Sequence, residues 1–495
     1  MRRWERLAKE KEEIYSILER YSDKLDPSKP EISVILAAGH GKRIKSERSK
    51  MLHEIWGRPS VRRVCDAAAH GLGSDNQIIV LGKKALDVVQ ALGWQKNRVF
   101  VYQKEQNGTG DAVRTAIEHS GISEYSGDVY IFPGDMGLLS DHTMDEFKKY
   151  FLQSDCDMLV MTGQYEGKSE DNYYGRIVKG AESGGVIEIK EHKDILAMND
   201  RTPYRTEFRG KEKSFTKEEL LNIREFNTGV YALKIDPLKS YISAIRPNNV
   251  QREIYITDLI KIFNDNGLRV CSSPVTNNSL VVAFNVKSVL KRMEETLRTM
   301  VYEELKDIVT IDDPDDFFIA EETIQRIIEL DKRYKVVDLK VGNGAYIGPN
   351  IEITRGLTVG RNAILKGDVR IGQNVKIDEG VMLSTFPEQT IEIGDGTHIY
   401  RNNVIQGNVR IGKNVRIETG VRITGSSDEP VVIGDNVQIK GMTYIFGSVI
   451  EKDILVEHSI LKSRHVDRVI KKNGEIQPIK YILPHPEGLD SISGL

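Results

Sequence analysis

The chain has 495 residues, a length that predicts two or three domains, and 70 basic against 73 acidic residues leave a formal charge of −3. So balanced a surface has no global field for nucleic acid or an anionic membrane, and a hydrophobic content of 39% excludes a disordered chain. No apolar run reaches the roughly 18–20 residues of a membrane helix, and the charged N-terminus has no signal-peptide core. Three widely spaced cysteines, Cys65, Cys156 and Cys271, fit neither a disulfide framework nor a zinc site, so a reduced, cytoplasmic protein is expected.

Residues 1–28 predict an N-terminal helix. Trp4, Leu7, Ile14, Leu18, Tyr21 and Leu25 form its apolar stripe and Asp26-Pro27 ends it. Such a helix packs on its own domain or makes a coiled-coil contact between subunits. Residues 29–290 alternate short apolar runs with helical patterns. Strands are expected at Ser33–Leu36, Gln77–Leu81, Val99–Val101, Asp128–Phe132 and Met158–Met161, with helices over Ser60–Ala69 and Thr109–Ser120. That order predicts a Rossmann-like α/β domain with a mostly parallel sheet and ligands at the carboxyl ends of its strands. Residues 291–335 read as a helical connector, beginning with a charged helix over Lys287–Asp307 and passing through the acidic turn Asp312–Asp316.

Residues 336–460 are a repeat. Val341, Ile347, Ile353, Val359, Leu365, Ile371, Ile377 and Leu383 recur every six residues. After a ten-residue step the series resumes at Ile393 and runs through Ile399, Ile405, Ile411 and Ile417 to Ile423. A second such step leads to Ile433, Ile439 and Ile445. In the 14 uninterrupted repeats Gly, Asn or Asp stands three residues after the anchor, as at Gly344, Asn350, Asn362 and Asp368, with Met442 the one exception. These residues tolerate φ > 0, so each hexapeptide is read as a short strand and a left-handed corner. Three hexapeptides to a coil give between five and six coils of parallel β-helix, with both inserted loops on one edge. The pattern does not give the handedness. A polar tail is expected over 461–495.

The first strand runs into Leu36-Ala37-Ala38-Gly39-His40-Gly41-Lys42-Arg43, with Lys50 seven residues on. Small residues let backbone N–H groups approach a phosphate, and the cations neutralise it. The spacing fits neither a Walker loop nor a dinucleotide fingerprint. The basic cluster Lys42, Arg43, Lys45, Arg48 and Lys50 is too short, and too poor in aromatics, for nucleic acid.

With Gln103-x-x-Gln106-x-Gly108-Thr109-Gly110, Phe132-Pro133-Gly134-Asp135 and Tyr174-Gly175-Arg176-Ile177, this loop resembles the bacterial N-acetylglucosamine-1-phosphate uridylyltransferase family. Glu191-His192-Lys193-Asp194, Asn227–Tyr231 and Tyr255–Asp258 follow in that family's order. The likeness covers about residues 31–290 and, through the repeats, extends to about 450. It implies a left-handed β-helix and a set of site residues. Arg43 and Lys50 would be catalytic and would hold the UTP triphosphate, with Leu36, Ala38, Gly39 and Gly41 lining the nucleotide. Gln103, Gln106, Gly108 and Thr109 would read uracil. Gly175, Glu191 and Asn227 would bind the sugar 1-phosphate, and Asp135 and Asn285 would hold Mg²⁺. A homo-oligomer is also implied, with a trimer favoured.

The chain departs from the family at Lys42, Ser49, Asp111 and Met136-Gly137. It also carries a charged stretch, Ile195–Phe226, about 20 residues longer than usual, which could form a lid or a subunit contact. The acetyltransferase segments of the bifunctional members are not found, and His398, His458 and His465 lie outside any matching context. The reading is therefore a Mg²⁺-dependent UDP-N-acetylglucosamine-forming enzyme. Its alternatives are a bifunctional enzyme, a uridylyltransferase for another sugar, and a non-catalytic nucleotide-sugar-binding scaffold.

Overall fold

The computed structural model describes residues 2–39, 41–119, 122, 125–180 and 185–477, and divides into compact units of residues 1–294 and 295–495. Among the described residues, no helix is long and apolar enough to cross a membrane.

The first unit is built on a nine-stranded mixed sheet. Its strands are β1 (Glu31–Ala37), β2 (Gln77–Leu81), β3 (Arg98–Tyr102), β4 (Asp128–Pro133), β5 (Met158–Gln164), β6 (Arg176–Lys179), β7 (Val186–Lys190), β8 (Glu225–Lys234) and β9 (Val270–Pro274). The main order is β9-β5-β8-β4-β1-β2-β3, and β6 pairs with both β8 and β7. Only β8 runs antiparallel to its neighbours along that order. Since β1 pairs in parallel with β2 on one side and β4 on the other, the winding reverses there and opens a crevice at their carboxyl ends. The runs Val34–Leu36 and Ile78–Leu81 are apolar at every position because helices cover both faces, giving two cores, one around Ile35, Ile79 and Phe132 and one around Val34, Ile78 and Ile131.

The N-terminal helix spans Arg2–Tyr21, ending short of the expected Leu25. Asp23 breaks it: its carboxylate accepts from Asn97 N at 3.0 Å and its own N–H donates to Arg98 O at 2.7 Å, tying the chain to β3. Leu18 lies in the core with Ile14, Ile17 and Tyr21 packed beside it, so this face is satisfied within its own unit. The side chains of Trp4 and Leu7 lie outside the described residues.

The expectation of three free thiols is corrected. Cys156 and Cys271 form a disulfide with their Cα atoms 6.1 Å apart. Parallel pairing of β9 with β5 sets Cys271 opposite Leu159, close to Cys156, a neighbourhood that a separation of 115 residues conceals. Cys65 is the free cysteine; burial pushes its thiol up to about 11.

The Ile195–Phe226 stretch folds. The hairpin Tyr204–Phe208/Lys211–Phe215 and the helix Lys217–Asn222 close a small core of Ile195, Phe208 and Leu220 against Val178 of β6 and Ile187 of β7. Thr216 and Glu219 form a capping box at the start of that helix.

The second unit is the left-handed parallel β-helix, with three parallel sheets of eight, eight and seven strands. The described residues therefore form between seven and eight coils, more than the hexapeptide spacing predicts. The first coil uses Val309–Ile311 and Phe318–Ile319, within the expected connector, and the helix Glu321–Arg333 interrupts the period. The last coil continues through Val456, Leu461 and Val466, all buried, where five-residue steps replace six, so the tail starts later than residue 461. Residues 478–495 of that expected tail lie outside the described residues. Both inserted loops leave the same corner, and Gln389 of one donates to Ser427 Oγ of the other at 3.3 Å.

All anchors are buried except Ile353, which is half-buried beside the fully buried Ile351. Left-handed φ falls on the third residue after the anchor at two of the three corners, where Gly344, Asn362 and Gly380 alternate with Gly356, Asn374 and Gly396. Asn350, Asp368 and Asn408 sit at the third corner without positive φ; there Gly367 and Gly407 take that role one residue earlier. Met442 is forced to φ +58° while 83% exposed, so its side chain gains little for the strain. Replacing Met442 by asparagine should raise stability by about 0.5–1 kcal/mol, read as a higher unfolding midpoint.

Candidate active site

The β1 carboxyl end leads into the small-residue loop, and its geometry explains the glycines. Gly41 has φ +59°, and a Cβ there would lie 2.8 Å from Lys50 Cβ, displacing the lysine. Lys50 opens the short turn Lys50–Leu52, whose side chains are buried, while Arg43 stands exposed on the preceding turn. A Cβ on Gly39 would meet Met51 Cε at an ordinary 3.5 Å, so only the nearby Gly41 requires its residue type on steric grounds.

At the β4 carboxyl end, Gly134 N donates to Leu36 O at 3.0 Å, which locks the two strand ends together and sets Asp135 beside the loop. Lys50 Nζ is ion-paired with Asp135 Oδ2 and donates to Asn285 Oδ1 at 2.7 Å. Phe284 lies 5.6 Å beneath the ammonium, with His53 edge-on to its ring. Residues 50, 135 and 285, far apart in sequence, thus meet at one point, with the Lys50 and Asp135 side chains nearly buried. A carboxylate and an amide oxygen converge there on one cationic point, a hard-oxygen pair that suits Mg²⁺.

The glutamine segment closes the other side. Gln106 Nε2 donates to Ala38 O at 2.6 Å, and Gln103 Nε2 donates to Asp111 Oδ2 at 2.9 Å and Gly108 O at 3.2 Å. These bonds fix which end of each amide is the donor. Asp111, one of the departures from the family, is therefore the residue that orients Gln103, and Arg114 is ion-paired with it. Gly108 has φ +117°, and a Cβ there would sit 2.5 Å from Ile254 O; Thr109 Oγ1 accepts from Ile256 N at 3.2 Å. The Gly-Thr-Gly segment and the stretch before Asp258 therefore hold each other.

Although Ile195–Phe226 separates the expected sugar ligands in sequence, the fold reunites them. Asn227 N donates to Gly175 O at 2.9 Å, and both Glu191 carboxylate oxygens lie 3.2 Å from where a Gly175 Cβ would be. Asn227 occupies a bulge of β8, its amide donating to Tyr231 Oη at 2.8 Å and its Oδ1 accepting from Gly229 N at 3.0 Å. Burial, aided by Asp194 and Asp258, pushes the Glu191 carboxyl up to about 7.

For an acid raised in the folded state, the native protein holds the proton more tightly, so stability falls as pH rises from about 4.5 to about 7. With Glu191 in the sugar-binding role that the resemblance implies, the same titration is expected to govern binding, only the carboxylate being a full acceptor for sugar hydroxyls. The KM for the sugar phosphate is expected to drop several-fold between pH 6 and 8, a dependence that Glu191→Gln flattens while the substrate's own ionisation stays common to both proteins.

Sequence reasoning missed Gly82, Phe284 and the orienting role of Asp111. Gly82 directly follows β2 and packs against Ala38 O and the Gln106 amide so closely that a Cβ would overlap both. A lone glycine after a strand was the available signal.

A small-residue, cation-bearing turn at the switch point of such a sheet, beside the Lys50–Asp135–Asn285 cluster, defines a class: the protein is a nucleotidyltransferase, an enzyme whose second unit is a hexapeptide-repeat β-helix. The model of the MobA-like NTP transferase domain matches residues 33–179, and that of the bacterial transferase hexapeptide matches residues 390–425. The bifunctional protein GlmU of Caldanaerobacter subterraneus subsp. tengcongensis is 31% identical over 368 residues, covering 73% of each chain. That of Thermoanaerobacter pseudethanolicus is 31% identical over 360 residues, covering 70% of each. Among solved structures, UDP-glucose pyrophosphorylase complexed with UDP-glucose gives a TM-score of 0.39 at 16% identity, over 55% of this chain and 99% of that one. The chain belongs to the GlmU family.

Proposed function

We propose that this protein transfers UMP from UTP to N-acetylglucosamine 1-phosphate, forming UDP-N-acetylglucosamine and pyrophosphate. The observation that carries the reading is Lys50 bound between Asp135 and Asn285 at the carboxyl ends of β1 and β4. A phosphate oxygen of the sugar 1-phosphate attacks the α-phosphorus of UTP, the bond to the bridging oxygen of the β-phosphate breaks, and pyrophosphate leaves. The nucleophile is already anionic near neutral pH, its second pKa being about 6, so no general base is needed.

Catalysis then rests on positioning and charge neutralisation. Arg43, Lys50 and the backbone amides around Gly39 and Gly41 hold the triphosphate, with Leu36 and Ala38 beside the nucleotide. Gln103, Gln106, Gly108 and Thr109 read uracil, and Gly175, Glu191 and Asn227 orient the sugar. Asp135 and Asn285 would hold Mg²⁺, which supplies further neutralisation of phosphate charge when bound.

In this reading the β-helix assembles a homo-oligomer, favouring a trimer. An outward row on one of its sheets supports that, since Met382, Tyr444 and Ile460 are each more than a third exposed. One observation favours a second reading, acetyl transfer on the β-helix: His398 Nε2 lies 2.9 Å from Asp378 Oδ1, an acid–imidazole pair.

The test follows pyrophosphate release from UTP and Mg²⁺ over a panel of sugar 1-phosphates. Release with N-acetylglucosamine 1-phosphate is expected. Silence across the panel, with UTP still binding, would replace this reading by the non-catalytic scaffold, and consumption of acetyl-CoA with glucosamine 1-phosphate would establish the second activity.

A further inference from the structure

Among the described residues β9 is the edge strand of the large sheet and pairs with β5 alone. After Val270 it consists of a cysteine, two serines and a proline, residue types that hold a strand weakly. The chain then passes through the short turn Asn278–Val281 to Phe284 and Asn285, which lie against the Lys50 ammonium. The edge strand therefore anchors one wall of the Lys50–Asp135–Asn285 cluster.

That anchorage is thin. A cavity of about 390 Å³ lies on one side of it, with Val275 and Leu280 facing Phe147, Tyr150 and Met161. On the other side Val275 N donates to Thr162 O at 2.9 Å, and Asn278 Oδ1 accepts from Gln164 N at 2.8 Å. Segments that flank a cavity at a sheet edge open locally at less cost than the core strands. The Cys156–Cys271 disulfide ties this edge covalently to the chain entering β5. Its two ends differ in access: Cys156 is 1% exposed in the core, whereas Cys271 is half-buried on the edge. An incoming thiolate exchanges with the sulfur it can reach, which here is that of Cys271.

We propose that the Cys156–Cys271 pair is a thiol–disulfide switch that sets the order of residues 270–285 and, through Asn285, the rate of uridylyl transfer. The reductant is a dithiol. Its thiolate attacks Cys271 Sγ, the S–S bond breaks, and Cys156 leaves as a thiolate that takes up a proton. The second thiol then attacks the mixed disulfide, closing the reductant's own disulfide and releasing Cys271, which takes up the second proton. Two electrons and two protons pass from the dithiol to the protein, and a disulfide oxidant reverses the exchange. Without the cross-link β9 frays from β5, and Phe284 and Asn285 lose their fixed places beside Lys50. The effect on rate rests on the uridylyl-transfer reading; the change in order does not.

The test compares the full chain oxidised by glutathione disulfide with the same chain reduced by dithiothreitol. Amide hydrogen exchange is read over residues 270–285, and pyrophosphate release is read at saturating UTP, Mg²⁺ and N-acetylglucosamine 1-phosphate. Reduction should speed exchange in that segment by about tenfold or more and leave β1 and β2 unchanged. It should also lower kcat by about fivefold or more, and reoxidation should restore both. The Cys156→Ser/Cys271→Ser protein should match the reduced form and ignore reductant, while Cys65→Ser should switch as the native chain does. Because the native chain is read in both states, the result does not depend on the variants folding. Equal exchange over 270–285 in the two states overturns the inference, as does a kcat that reduction leaves unchanged. Three thiols that the oxidant fails to pair overturn it too. Absence of turnover in both states, with exchange still switching, overturns the uridylyl-transfer reading alone.

Discussion

Replacing Lys50 by alanine lowers kcat by about 10²–10³, the usual cost of removing one preorganised charge from a phosphate-transfer site. The side chains of Lys50 and Asp135 are 8% and 10% exposed, so solvent screens the pair little, and the ammonium is held where β1 and β4 end. Its loss removes the cation that bridges the Asp135 carboxylate and the Asn285 amide oxygen. The effect should fall on kcat more than on KM for the sugar, whose expected ligands lie around Gly175. Steady-state kinetics on protein with an unchanged melting profile checks it; kcat within threefold of native would remove Lys50 from the chemistry.

A Gly82→Val substitution should raise the KM for UTP at least tenfold, although Gly82 is not itself among the expected ligands. The added side chain would overlap Ala38 O and the Gln106 amide. Ala38 O is backbone at the end of β1 and cannot swing aside, so the Gln106–Ala38 bond must break and the side of the crevice proposed to read uracil must open. Titration with UTP, with the sheet's circular dichroism as a control, measures this. Unaltered UTP affinity would show that the Gln106 tether has no part in nucleotide binding.

Gly82 also marks where reading the sequence stops. The sheet strands were legible because burial on both faces leaves continuous apolar runs, and the β-helix because each coil repeats one packing problem every six residues. Legibility failed where the period breaks. The helix Glu321–Arg333 hides the first coil, and the five-residue steps after Ile445 hide the last. Lys50, Asp135 and Asn285 could be named from their motifs, but their meeting at one point is a product of strand order. Pairings between distant residues left no trace at all: Cys156 with Cys271, Asp111 with Gln103 and Tyr204 with Glu188 each depend on which elements become neighbours. Their spacing carries no periodic signal.

The central claim is that UMP passes intact from UTP to a sugar phosphate, and the fate of the α-phosphate tests it most directly. The protein would be incubated with UTP labelled at the α-phosphorus, Mg²⁺ and N-acetylglucosamine 1-phosphate, and the products separated. The account predicts label in a UDP-sugar, formed in step with unlabelled pyrophosphate and only when sugar phosphate is present. Label remaining in UTP, or appearing as free UMP whether or not the sugar is added, would contradict it.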